Sequence, residues 1–122
     1  MKTLVIHPKD TTTDFLSDIY KDKDWTVITE NISKSQLKLE IIHHDRIVML
    51  GHGCEDGLYD LKHNRFVISS ELVYLLRPKN CVGVWCNADK FFEKYILSGF
   101  YTGMIISEVD EAYLYGICEC FD

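Results

Sequence analysis

Ile47-Val48-Met49-Leu50-Gly51-His52-Gly53 and Cys81-Val82-Gly83-Val84-Trp85-Cys86-Asn87 are the two stretches that decide the fold of this chain. Each is an apolar run too short for a helix and bounded by glycine and polar residues. Such runs read as strands buried on both faces of a parallel sheet. In open α/β sheets the ligand sits just beyond the carboxyl ends of the strands. His52 ends one run and Cys86 ends the other, which makes them a candidate base and nucleophile in the place where these folds do chemistry.

Working outward, strand and helix alternate along the chain. The first strand is Thr3 to Ile6, stopped by Pro8, and a helix is expected from about Thr11 to Tyr20. The second strand is Trp25 to Thr29. Ser33 and Gln36 form a capping box that opens a helix running to about His44. After the third strand, Arg46 to Leu50, a small hairpin is expected, with Gly57–Leu61 and Arg65–Ile68 flanking the turn Lys62-His63-Asn64. Ser69 caps a helix carrying Leu72, Leu75 and Leu76, which Pro78 ends. The fourth strand is Cys81 to Trp85. Asn87 caps a helix that closes near Gly99. A fifth strand is expected at Gly103 to Ile106, and a last helix puts Val109, Ala112, Tyr113, Gly116, Ile117 and Cys120 on one stripe.

Five strands alternating with helices predict a single α/β domain over residues 1–122, a three-layer αβα sandwich around a mostly parallel five-stranded sheet. The expected strand order is 2-1-3-4-5. Strands three and four are then neighbours about 4.8 Å apart, so that His52 and Cys86 face one gap.

The 122 residues suffice for one core, and 47% apolar with 26% charged residues is ordinary for a globular protein. The net charge of −6, with lysine and arginine scattered, argues against a nucleic-acid partner and leaves room for a basic substrate. No stretch approaches the ~18 apolar residues of a membrane span, and the first residues lack a signal-peptide core, so a cytoplasmic location is expected. The five cysteines (Cys54, Cys81, Cys86, Cys118 and Cys120) lack the spacing of a disulfide scaffold and read as thiols.

A thiol needs ionisation before it attacks, and a nearby imidazole or a helix N-terminus promotes it. Cys86 has both in prospect. Gly53, directly after His52, offers a backbone N–H that with the N–H of Cys86 would form an oxyanion hole. The opposing reading is that Cys86 is a small core residue, as Cys81 is expected to be.

An apolar strand ending in His-Gly, a short spacer and Gly57, then a second apolar strand ending in Cys86-Asn87, resembles the caspase-like cysteine peptidases: caspases, gingipains, clostripain, separase and CHAT domains. The glycine-started hairpin, the helix at Ser69 and the Cys-Asn pair most resemble the CHAT branch. The resemblance covers about residues 45 to 90 by motif, and implies a caspase-like sheet of flavodoxin-like strand order. It also implies a His52–Cys86 catalytic dyad, Gly53 as oxyanion donor, a peptide or protein substrate, and no cofactor. In members that cut after Lys or Arg an acidic residue lines the specificity pocket. Glu108 or Asp110, after the fifth strand, is the candidate here, against the plainer reading that these acids cap the last helix.

The rival from a different class is a non-catalytic caspase-like interaction module. A zinc site of His52, Cys54 and Cys86 lacks the ligand spacing such sites show, so no metal is expected. No phosphate-binding glycine motif is present.

Overall fold

The computed structural model describes residues 1–102. Its main sheet has five strands: β1 (Thr3–Ile6), β2 (Thr26–Ile28), β3 (Arg46–Leu50), β7 (Asn80–Val84) and β8 (Gly99–Tyr101). They lie in the order β2-β1-β3-β7-β8, and every pairing is parallel. A second, antiparallel sheet has the order β4-β5-β6, from His52–Cys54, Gly57–Asp60 and Arg65–Ile68. Among the described residues the α-helices are α1 (Lys34–Ile42), α2 (Val73–Leu76) and α3 (Ala88–Tyr95).

The central strands are apolar because both their faces are covered. Leu4, Val5, Ile47, Met49 and Leu50 are sealed from solvent, and Ile41, Leu76, Phe91 and Phe92 join them in the same core from the helices. The register sets Ile47 opposite Cys81 and Leu50 opposite Val84. Helix α1 begins where the capping box places it, with the Ser33 hydroxyl accepting from the Gln36 N–H at 3.2 Å. Among the described residues no helix is long and apolar enough to cross a membrane.

Four expectations need correction. The segment expected as a helix from Thr11 to Tyr20 forms only a six-residue 3-10 helix, Asp14–Ile19. Three consecutive β-branched threonines oppose helix at its start, and the Asp10 carboxylate instead accepts from the Thr12 N–H at 3.1 Å in a local turn. The Ser69 helix is likewise a 3-10 turn, Ser70–Leu72, running into α2, with no side-chain cap bond.

Helix α3 closes at Ile96 rather than at Gly99. Ile96 takes the left-handed conformation, φ 57°, and is 77% exposed. That costs an L-residue about 1–2 kcal/mol, which the burial of the next residue, Leu97, at about 1.5–3 kcal/mol offsets. The chain therefore turns early and enters the sheet at Gly99, so β8 is the fifth strand. The expected strand Gly103–Ile106 and the last helix lie outside the described residues.

The fourth correction concerns His52. It opens β4 in the second sheet instead of ending β3. Gly51, at φ 145°, makes this possible: its N–H still donates to the Val84 carbonyl at 3.1 Å, the last rung of the main sheet, before the chain swings away. The expected hairpin therefore has a third strand, with His52 opposite Tyr59 and Gly53 opposite Leu58.

Candidate functional site

The chain leaves β1 for β2 on one side and leaves β3 for β7 on the other. The loops that follow β1 and β3 therefore diverge at the carboxyl edge, the switch point where doubly wound sheets form their ligand crevice. Residues 7–13 leave from β1 and residues 51–54 from β3. His52 is only 5% exposed there. Its Nε2 lies 2.6 Å from Asp10 Oδ2 and 2.6 Å from Thr12 Oγ1. Asp10 is itself held: Thr12 donates to it through N–H (3.1 Å) and hydroxyl (2.9 Å), and the Asp10 carbonyl accepts from the Thr13 N–H at 3.1 Å.

Cys86 follows β7, the parallel neighbour of β3, so the segments bearing the two candidate residues leave adjacent strands at the same sheet edge. It is 7% exposed and not in a disulfide. The strand-to-helix turn is sharp. Asn87 adopts the left-handed conformation, φ 63°, which Asn tolerates better than most residues. Asn87 sits at the N-cap position without the expected side-chain cap bond; its carbonyl accepts from Lys90 and Phe91, and the Ala88 N–H donates to the Trp85 carbonyl.

Trp85 ties the two segments together. Its indole is fully buried, and Nε1–H donates to the Cys54 carbonyl at 2.9 Å. Its ring also covers Gly53, where an added Cβ would fall 2.2 Å from Cδ1. Strand β4, which carries His52, is thus clamped against the turn that carries Cys86. Only glycine fits beneath the indole, a reason for Gly53 separate from any oxyanion role.

Cys81 is the core thiol expected. It is sealed from solvent, its Sγ donates to the Leu76 carbonyl at 3.4 Å, and burial pushes its pKa up to about 12. Cys54 is disulfide-bonded, a correction to the reading of it as a thiol. Among the described residues no cluster of three or more His, Cys, Asp or Glu side chains is arranged to hold a metal ion. Glu108 and Asp110 lie outside the described residues.

Sequence reasoning missed Asp10, Thr12 and a second histidine. His7 follows β1 as His52 follows β3, and it is buried. Its Nδ1 lies 2.8 Å from the Tyr20 hydroxyl, and its Nε2 lies 3.3 Å from Thr13 Oγ1. The signal that would have found them is positional: a His-Pro strand end and an Asp-Thr-Thr-Thr loop stand after the first strand, on the same edge as His52.

Burial lowers the pKa of His7 below the ordinary 6.5, although Thr13 and the charges of Asp14 and Asp10 oppose the shift. The unfolded chain therefore binds this proton more readily than the folded one. The contribution is neutral above the ordinary pKa, and stability is lost as pH falls through it toward the folded value. As pH falls below 6.5 the urea midpoint should fall in the native chain, and His7→Gln should flatten that slope. An equally steep slope in the variant would rule His7 out as its source.

Comparison of the chain with protein-family models, with curated proteins and with solved structures returns no significant match.

Proposed function

We propose that this chain is a small cysteine hydrolase on a caspase-like three-layer fold, acting on peptide bonds through His52 and Cys86. The observation that carries the reading is the His52 imidazole, held by Asp10 at the carboxyl edge, on the strand that Trp85 clamps to the turn bearing Cys86. In this reading His52 takes the thiol proton as Cys86 Sγ bonds to the scissile carbonyl carbon. The oxyanion is met by the N–H groups of Gly53 and Cys86. The imidazolium then protonates the leaving amine, the C–N bond breaks, and water, deprotonated by His52, releases the acid and restores the thiol.

The resemblance and the net charge of −6 point to a substrate with a basic side chain before the cut bond, met by Glu108 or Asp110. A fluorogenic peptide library tests this. Cleavage should favour Lys or Arg at that position, and Glu108→Gln or Asp110→Asn should remove roughly 1.5–3 kcal/mol of the preference. Cleavage after Asp or an apolar residue would refute the acidic pocket and spare the dyad.

The second reading is a non-catalytic caspase-like protein-interaction module. The observation favouring it is the near-complete burial of both His52 and Cys86, at 5% and 7% exposure. Under that reading no peptide is turned over and Cys86 resists alkylation.

A further inference from the structure

The carboxylate of Asp10 and the ring nitrogen Nε2 of His52 approach to 2.6 Å, with the Thr12 hydroxyl bridging them. A carboxylate offers only acceptors. If Nε2 were the bare nitrogen of a neutral imidazole, its lone pair would face Oδ2 acceptor to acceptor. With the proton on Nε2 every contact is satisfied: Nε2–H donates toward Asp10 and Thr12, and the Thr12 hydroxyl donates to Asp10 Oδ2. The second carboxylate oxygen is occupied by the Thr12 N–H, so the carboxylate cannot rotate away without breaking the turn.

We infer that Asp10 and Thr12 are the positioning residues of His52, keeping a proton on Nε2 so that Nδ1 is the nitrogen that gives up and takes a proton. Nothing in the sequence around His52 points to them, since Thr12 stands 40 residues away. This rests on the proposed hydrolase reading only in that Nδ1 would be the atom that takes the Cys86 proton. The hydroxyl matters as well as the charge: Thr12 fixes the lateral position of the carboxylate, and Asp10 fixes which nitrogen keeps the proton. An aspartate that only orients a histidine can still govern the rate strongly, because the wrong tautomer offers N–H where a lone pair is needed.

The test is tautomer-resolved nitrogen NMR on the full chain labelled at its five histidines, with His52 assigned by its absence in His52→Gln. The native protein at a pH where His52 is neutral should show Nε2–H with a bare Nδ1. Asp10→Asn should give mixed tautomers, and Thr12→Val a smaller change in the same direction. Alkylation of Cys86 by iodoacetamide, followed by peptide mass mapping, should slow at least about tenfold in Asp10→Asn. A native spectrum with the proton on Nδ1 would overturn the inference, and that spectrum decides the matter even if Asp10→Asn fails to fold. An unchanged tautomer in folded Asp10→Asn would overturn it equally. A shifted tautomer with Cys86 alkylation unmoved in both Asp10→Asn and His52→Ala would support the positioning role and count against the hydrolase reading.

Discussion

His52→Ala is expected to lower kcat/KM on any cleaved peptide by about 10²–10⁴-fold, the usual worth of a positioned general base. The thiol would then have to ionise unaided. The fold should survive, because the partner left behind, Asp10, has a side chain 21% exposed and can be rehydrated. A lowered rate with an unchanged melting temperature is the expected pair of results. A drop in rate that tracks a drop in stability would make His52 a structural residue, and an unchanged rate would remove it from the mechanism.

Trp85→Ala should have the largest effect on stability, about 3–5 kcal/mol. The indole packs edge-on against Phe91, with ring centroids 5.6 Å apart, and tilts against Phe92 at 6.1 Å. Its loss would leave a cavity beneath β7, break the bond to the Cys54 carbonyl, and release β4 from the Cys86 turn. Trp85→Phe, which keeps most of the apolar volume but not the N–H, should cost less, so the two variants separate packing from the hydrogen bond. Urea unfolding followed by far-UV circular dichroism measures both, since Trp25 confuses a fluorescence readout. A cost below about 1 kcal/mol for alanine would mean that the core is not built around this ring.

The framework of this fold was legible because its signals are local and periodic. The apolar runs at Leu4–Ile6, Ile47–Leu50 and Cys81–Val84 became strands, and Ser33 with Gln36 marked the start of α1 to the residue. The alternation of strand and helix led to the order of the first four main-sheet strands, and to a fifth beside the fourth. Where the reading failed, a distant partner or a local conflict had overridden a local rule. The Asp10 loop belongs to His52, and no spacing pattern encodes a contact across 40 residues. Gly51 stood inside an apolar run expected to end in His52, yet its positive φ sends His52 into another sheet. Ile96 is a poor residue for a left-handed turn, and only the burial of Leu97 in a core assembled from the whole chain explains why the helix stops there.

The candidate site was legible in part. The strands that precede His52 and Cys86, β3 and β7, are parallel neighbours as expected, although His52 itself opens β4. The residues that hold His52, and the indole that clamps Gly53, were visible only in three dimensions. Trp85 read as one more apolar residue of a strand, whereas its N–H reaches a carbonyl 31 positions back.

The central claim is that Cys86 forms an acyl intermediate with the help of His52. The most direct measurement is covalent capture by a peptidyl acyloxymethyl ketone bearing a basic side chain next to the warhead, read by intact mass and peptide mapping. A single adduct on Cys86, formed in the native chain and strongly slowed in His52→Ala, is the predicted result. No adduct, or an adduct on another cysteine at a rate indifferent to His52, would contradict it.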